Sequence, residues 1–382
     1  MGINLPSWEE LSRDEQVPIV NLPTSGRYVI SGGPGTGKTV LALYRASRWR
    51  KENPEGKITF LVYNRTLHQY MQDAAEEMNL PDKSVNTWHS WFYSYYYEKT
   101  GESVPEVRPY RPDWNKVSAK LTPKPELDFL ILDEIQDFPV ELLRILNKTA
   151  KAMTVFGDPQ QEISNHGSTE DDWIDAMDAL GRVYYLTRNY RSTEQISKVA
   201  ELFFYGTKKQ FPKPTKKAGP KPRLIKCQDR DDVLDTIANF AENNRGLHVG
   251  VLLPPKNIKE KLSMYKQGLQ RKTDVPIQIY TRDEQVDYSL SFKQTGIKIM
   301  SYLTAKGLEF DAVFLPEVDA FSEHAQDREK RRIYVAITRA KTNLTFLYTR
   351  ETDSFVLTTL KQNSEIFDVI DNTVVEFNEL PF

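Results

Sequence analysis

The residues best suited to chemistry in this chain form a glycine-rich run near its N-terminus. Residues 32–39 read Gly-Gly-Pro-Gly-Thr-Gly-Lys-Thr and fit the pattern G-x-x-x-x-G-K-[ST]. Glycines let such a loop turn its N–H groups toward phosphate oxygens, a conformation that Cβ atoms obstruct. Lys38 can then reach the β- and γ-phosphates, and the Thr39 hydroxyl can bind Mg²⁺. The run predicts a nucleoside triphosphate site with magnesium, and its phosphate-facing glycines are Gly32, Gly35 and Gly37.

A second reactive group follows an apolar run at residues 127–132, where the chain continues with Asp133 and Glu134. An acid at the carboxyl end of a strand beside the glycine loop is placed to hold magnesium, so Asp133 is the predicted metal ligand together with Thr39. Glu134 is then the candidate general base for the attacking water. The alternative is an ordinary acidic helix start, since carboxylates also suit helix N-termini.

The elements that must position these residues follow an α/β rhythm. Short runs rich in Val, Ile, Phe and Tyr alternate with segments of helical period, a pattern that favours parallel sheets flanked by helices. We expect two domains, 1–187 and 188–382, with their boundary near Thr187. The predicted strands are 27–31, 57–63, 127–132, 153–157, 182–186, 223–227, 248–253, 276–280, 297–301, 311–315 and 343–348.

Composition narrows the class of protein. Hydrophobic residues are 39% and charged residues 27% of the chain, which excludes collagen-like, low-complexity and wholly disordered classes. The net charge is −2, so nucleic acid would have to bind a local basic surface. With a single cysteine, Cys227, and no stretch near the roughly 20 apolar residues that span a bilayer, we expect a cytoplasmic protein without membrane contact.

Aromatic residues crowd the segment 88–114. Such density is more typical of a small core or a partner contact than of a base-stacking platform.

At residues 133–137 the chain reads Asp-Glu-Ile-Gln-Asp and resembles the D-E-x-Q-D box of UvrD/Rep-like superfamily 1 helicases. The resemblance spans residues 11–341 and implies two RecA-like P-loop domains that bind ATP and Mg²⁺. The other matching segments are 11–16 (Q motif), 58–67 (motif Ia), 87–90 (motif Ib), 157–161 (motif III), 189–192 (motif IV), 305–311 (motif V) and 334–341 (motif VI).

The resemblance also implies a role for individual residues. Gln16 would hydrogen-bond the edge of adenine, and Tyr190 would stack on its face. Gln161 would sense the γ-phosphate, and Arg191 would reach the phosphates. Gly307 and Glu309 would lie at the nucleotide, with Arg339 as the arginine finger. We therefore predict a catalytic set made of Lys38, Glu134, Gln161, Arg191 and Arg339.

The sequence departs from the family where nucleic acid would bind. Familiar members carry two large insertions that grip duplex DNA, whereas only about 40 residues separate motif Ib from Asp133, and 254–297 is likewise short. We expect a short aromatic insertion at about 92–126. Ser164 and His166 stand where the family usually has stacking aromatics, and Leu303 where motif V usually has His. The candidate nucleic-acid contacts are Tyr63, Asn64, Thr87, His89 and His166.

Two functions remain open. The first is ATP hydrolysis that drives translocation on, or unwinding of, nucleic acid, with single-stranded DNA favoured over RNA. The alternative is a helicase-fold ATPase switch that acts on a protein partner, such as a nuclease or effector complex. The acidic and apolar segment 363–382 is expected either to pack on the second domain as a final helix and strand or to bind a partner.

Overall fold

The computed structural model of the protein describes residues 6–63, 65–81, 83–161, 167–204, 211–215, 217–281, 292, 294–324 and 327–373, without the side chains of 65–67, 69 and 70. Its internal contacts divide the chain into Met1–Asn189, called unit 1 below, and Tyr190–Phe382, called unit 2. Within the described ranges, no helix is long and apolar enough to cross a membrane.

Unit 1 alternates strands with helices. Its strands are β1 (Arg27–Gly32), β2 (Ile58–Val62), β3 (Val85–Thr87), β4 (Glu106–Arg108), β5 (Arg111–Pro112), β6 (Leu127–Leu132), β7 (Ala150–Gly157), β8 (Val183–Leu186) and β9 (Arg188–Asn189). Its helices are α1 (Gln16–Asn21), α2 (Lys38–Glu52), α3 (Arg65–Glu77), α4 (Trp88–Thr100), α5 (Trp114–Lys120), α6 (Val140–Thr149) and α7 (Glu170–Met177).

The main sheet of unit 1 has the strand order β3-β2-β6-β7-β1-β8, and each of its pairings is parallel. Parallel strands covered on both faces need continuous apolar runs, as in the buried end of β6. Their carboxyl ends share one edge, where the chain after β1, β6 and β7 emerges. The sequence places Asp133 on a strand beside the glycine loop, but β7 separates β6 from β1.

Unit 2 repeats the α/β alternation. Its strands are β10 (Lys213–Pro214), β11 (Arg223–Lys226), β12 (His248–Leu253), β13 (Ile277–Ile279), β14 (Gly296–Ser301), β15 (Phe310–Leu315), β16 (Ala340–Tyr348) and β17 (Asp368–Asp371). Its helices are α8 (Glu194–Leu202), α9 (Arg230–Asn243), α10 (Ile258–Gln270), α11 (Asp327–Ile337) and α12 (Phe355–Gln362). The main sheet has the order β13-β14-β12-β15-β16-β11-β17, and its pairings are also parallel.

The predicted α/β fold with parallel sheets flanked by helices is confirmed, and each predicted strand overlaps an observed one. The aromatic segment forms core in part, because Phe92 and Tyr96 on α4 are fully buried. Tyr97 and Tyr110 remain exposed. At the C-terminus, α12 is followed by β17, which pairs with β11, while 374–382 lie outside the described residues.

One backbone turn occurs in both units. Glu134 follows β6 with φ 57°, and Glu317 follows β15 with φ 61°, both left-handed and each leading into a short 3₁₀ turn. In unit 2 the Glu317 carboxylate pairs with Lys261 at 2.5 Å and accepts a hydrogen bond from the Tyr265 hydroxyl at 3.3 Å.

Candidate active site

The glycine loop joins the carboxyl end of β1 to the start of α2, which is the position expected of a phosphate-binding loop. Gly37 caps α2 in the left-handed region, with φ 90°, and Gly35 also has positive φ, 76°. At Gly32 a Cβ atom would lie 2.8 Å from the Leu186 Cβ and from the Thr36 hydroxyl oxygen. These positions therefore need glycine for two different reasons, backbone conformation at Gly35 and Gly37 and space at Gly32.

Lys38 is the first residue of α2, directly after the glycine loop, and is almost fully buried. Its ammonium donates to the carbonyl oxygens of Gly32 at 2.7 Å and Gly33 at 2.9 Å. Burial raises the pKa of the nearby Asp133 and Asp158 carboxyls, and the positive charge of Lys38 opposes this rise. A cation at the start of a helix suits a bound anion, which agrees with the predicted role of Lys38 at the phosphates.

Thr39 and Asp133 meet although their strands are not neighbours. The Thr39 hydroxyl donates to the Asp133 carboxylate at 2.6 Å, and the second Asp133 oxygen accepts from the backbone N–H of Glu134 at 3.0 Å. Asp133 is fully buried. Burial raises its pKa to about 6, and the neighbouring charge of Glu134 adds to this shift, while Lys38 opposes it. The site thus presents two oxygen ligands in a setting that favours a bound cation.

Glu134 is held by a short hydrogen-bonded chain. Its carboxylate accepts a hydrogen bond from the side-chain amide of Gln136. The other end of that amide accepts from the backbone N–H of Asp158 at 3.0 Å. Gln136 therefore connects the turn after β6 with the turn after β7. The left-handed backbone at Glu134, with φ 57°, costs about 1–3 kcal/mol at a non-glycine residue.

Gln161 lies in the 3₁₀ turn Pro159–Gln161, directly after β7. Its amide donates to the Asp158 carboxylate at 2.7 Å, and a second Asp158 hydrogen bond comes from the Gln160 N–H at 2.9 Å. Burial raises the pKa of Asp158, and the positive charge of Lys38 counteracts the shift. Asp158 and Gln136 belong to sequence motifs but received no predicted role of their own. No local sequence signal indicates their contact, because it depends on which turns the sheet brings together.

Gln16 contacts the glycine loop from helix α1. Its side-chain NH₂ donates to the Thr36 carbonyl at 3.1 Å, and its side-chain oxygen accepts from the Ser12 N–H at 3.0 Å. An amide has a second N–H and further acceptor capacity for a base edge. Unit 1 therefore brings together the predicted residues Gln16, Gly32, Gly35, Gly37, Lys38, Thr39, Asp133, Glu134 and Gln161.

Unit 2 assembles its predicted residues around motifs V and VI. Arg191 donates to the Glu309 carboxylate at 2.8 Å and to the Thr338 carbonyl at 3.3 Å. Arg339 is buried, and its guanidinium donates to the carbonyls of Val335 at 3.0 Å and Leu308 at 3.2 Å. The predicted positions Gly307, with φ 83°, and Glu309 flank Leu308. Tyr190, the first residue of unit 2, is half-buried.

The candidate nucleic-acid contacts lie partly outside the described residues, since Asn64 and His166 belong to the gaps. Tyr63 follows β2 and Thr87 ends the neighbouring β3, so both lie at the carboxyl edge of the sheet. The Thr87 side chain caps α4 by accepting from the Ser90 N–H at 3.3 Å. The His89 ring stacks on Trp88, with their centroids 3.4 Å apart.

The chain is similar to known protein families over both of its units. A family model described as an AAA domain matches residues 16–166, and one described as the UvrD-like helicase C-terminal domain matches residues 277–351. Curated proteins give no significant match.

Among solved structures, the C-terminal domain of a possible DNA helicase from Lactobacillus plantarum WCFS1 is similar at 18% identity, with 47% of this chain and 97% of that chain covered and a TM-score of 0.35. Because a TM-score below 0.5 does not establish a shared fold, the assignment rests on the two family models. They match in the order of the motifs, one in unit 1 and one in unit 2. The chain therefore belongs to the UvrD-like superfamily 1 helicases.

Proposed function

We propose that the chain hydrolyses ATP with Mg²⁺ and uses the reaction to move along, or to separate, nucleic acid, with single-stranded DNA as its track. The observation that carries the proposal is the 2.6 Å contact between Thr39 and Asp133, which joins the glycine loop to the acidic box in unit 1. Members of this family are ATP-dependent enzymes that act on nucleic acid, so the proposed substrates agree with the matched family models.

The donor set fits magnesium rather than a metal held by protein alone. Within the described residues no group of three or more His, Cys, Asp or Glu side chains could hold a metal. Magnesium is commonly bound through one or two protein oxygens together with substrate phosphates, and Thr39 and Asp133 supply such oxygens. Bound there, the ion would neutralise charge on the β- and γ-phosphates.

The side chains of unit 1 divide the remaining work. Lys38 contacts the β- and γ-phosphates in place of the loop carbonyls that it now contacts. Glu134 accepts a proton from the water that attacks the γ-phosphorus, and Gln136 holds the carboxylate in the required orientation. Gln161 senses the γ-phosphate. Gln16 reads the adenine edge with its remaining hydrogen-bonding groups.

For unit 2, the proposal follows the motifs. Arg191 and Arg339 supply positive charge to the phosphates, Tyr190 stacks on adenine, and Gly307 and Glu309 line the nucleotide. The contacts that support these roles lie within unit 2. Arg191 is already oriented by its 2.8 Å ion pair with Glu309, and Arg339 by main-chain carbonyls of its own unit.

An ATPase assay tests the proposal. The full chain is assayed with Mg²⁺ in the presence and absence of an oligothymidylate, and Lys38→Ala serves as the inactive reference. We expect stimulation by the strand. We also expect Lys38→Ala to reduce hydrolysis by at least about 100-fold, the usual scale for loss of a preorganised charge.

The alternative, a switch acting on a protein partner, is favoured by one observation. Between motif Ib and strand β6 the described chain builds only α4, the β4 and β5 hairpin and α5. A domain that grips duplex is not formed by these elements. ATP hydrolysis that is indifferent to both DNA and RNA strands would support this second function over the first.

A further inference from the structure

The hairpin of strands β4 and β5 presents an unusual surface, here called the hairpin tip and defined as residues 107–111. Each of its five residues is exposed. Val107 is 65% and Tyr110 55% accessible, although burial of such side chains is normally favourable. The tip carries two arginines and no acid. An exposed apolar and cationic tip indicates a binding surface.

The two arginines are placed against each other. Arg108 and Arg111 are direct cross-strand partners in the antiparallel register. Like charges directly opposite each other destabilise a strand pair. Neither arginine forms an ion pair with any residue inside the described ranges. An anion bound between them would remove the repulsion, and phosphate matches the donor geometry of guanidinium groups.

Tyr110 is held in a conformation that tyrosine rarely adopts, with φ 60°. Its N–H donates to the Glu106 carboxylate at 3.1 Å, and its carbonyl lies 3.3 Å from a ring nitrogen of His89. Glu106 also accepts a hydrogen bond from the Tyr93 hydroxyl. The hairpin is therefore fastened to α4 at both sides of Tyr110, a residue that is 55% exposed.

The ring of Tyr110 continues an aromatic series. It meets the His89 ring edge-on, with centroids 6.4 Å apart, and His89 stacks on the buried Trp88. A rigid exposed ring beside two cations is the combination that recognises an unpaired base and its flanking phosphates.

We propose that the hairpin tip binds one strand of nucleic acid, with a base stacked on Tyr110 and adjacent phosphates on Arg108 and Arg111. The inference rests on the proposed function, because it adds a contact to the nucleic-acid track. It also assigns the short insertion a role as a strand contact rather than as a remnant.

The test measures binding of a fluorescent oligothymidylate to the full chain by anisotropy over a range of salt concentrations. Tyr110→Asn removes the ring without strain, since Asn tolerates positive φ. Tyr97→Gln is its control, because Tyr97 is 62% exposed on the same unit. Arg108→Gln with Arg111→Gln removes two charges. Its control is the exposed pair Arg144→Gln with Lys148→Gln on α6, which removes the same charge elsewhere.

We expect Tyr110→Asn to weaken binding about tenfold, within the usual range for loss of one base stack. The double arginine variant should lower the salt slope by about 1.4, at roughly 0.7 for each phosphate contact to a single strand. Basal ATPase without the strand should not change in either variant. Tyr97→Gln and the α6 pair should bind as the wild type does.

Two results would overturn the inference and would be distinguishable. If the wild-type protein binds the strand and the hairpin variants bind as tightly as their controls, the hairpin is not a contact, and the proposed function stands. If the wild-type protein binds no strand, the proposed function fails and the hairpin assignment fails with it.

Discussion

Replacement of Gly37 by Ala tests whether the Gln16 side chain stabilises the glycine loop. At this position a Cβ atom would lie 2.4 Å from the side-chain nitrogen of Gln16, a separation that no structure tolerates. The Gln16 amide would have to move, because the nearest atom belongs to it and the loop backbone is anchored by Lys38. In moving, it would lose its hydrogen bonds to Thr36 and Ser12.

The magnitude follows from two contributions. A left-handed backbone at alanine costs about 1–2 kcal/mol. The two hydrogen bonds of Gln16, one buried and one partly buried, add roughly 1 kcal/mol each. Gly101 provides a matched control, since it also has positive φ, 70°, yet a Cβ there meets no atom within 4 Å. Gly37→Ala should therefore destabilise unit 1 by about 2 kcal/mol more than Gly101→Ala does.

Urea unfolding followed by tryptophan fluorescence is a suitable assay. Each of the six tryptophans lies in unit 1, so the signal reports that unit alone. In a Gln16→Ala background the atom that the Cβ would meet is absent. The cost of Gly37→Ala in excess of that of Gly101→Ala should then fall toward zero. The reasoning is refuted if the two glycine substitutions cost the same, or if the excess persists without the Gln16 side chain.

Three further outcomes are expected. Glu134→Gln should retain nucleotide binding while hydrolysis falls by at least about 100-fold, because the shape is kept and the base is lost; turnover at the wild-type rate would show that another group is the base. Arg45 is buried and donates to the main-chain carbonyls of Ile19 in α1 at 2.9 Å and of Leu22 and Pro23 just after α1 at 3.0 Å. Its replacement by Met should cost about 3 kcal/mol or more of stability, because those carbonyls lose their donors; an unchanged urea midpoint would contradict this. Burial lowers the pKa of Lys298 from 10.5 to about 8, so the folded state binds fewer protons than the unfolded state between these values. The free energy of unfolding should therefore rise with pH across that window, by at most about 1.4 kcal/mol per pH unit. Circular dichroism melts of Lys298→Met should show no such rise. Parallel pH profiles of the variant and the wild type would count against this assignment.

Strands with an apolar signal of their own could be predicted from the sequence. Leu127–Leu132 and His248–Leu253 agree with their predicted limits to the residue, because continuous apolar runs are required where both faces of a parallel sheet are covered. Strand β3 could not be found in this way. Its three residues, Val-Asn-Thr, carry little signal and become a strand through pairing of Val85 with Phe60.

The candidate site was predictable where a motif specifies a backbone conformation together with a reactive side chain. The glycine loop and Asp133 are of this kind. The connections made by Gln136 and by Gln16 were not predictable, because they depend on which turns the sheet brings together. The hairpin of β4 and β5 was not predictable for the same reason. Its short strands are defined by their pairing with each other, which no local sequence pattern indicates.

The turn after β6 and the turn after β15 share a backbone conformation but present different side-chain chemistry. In each unit a strand leads into a left-handed glutamate and a 3₁₀ turn, although the two halves share no visible sequence repeat. The residue before each glutamate differs, since Asp133 precedes Glu134, whereas Pro316, which has no side-chain metal ligand, precedes Glu317. In unit 2 the glutamate holds helix α10 through its ion pair with Lys261, whereas the role proposed for Glu134 is that of a base. The same backbone turn can therefore place a carboxylate either for chemistry or for helix packing.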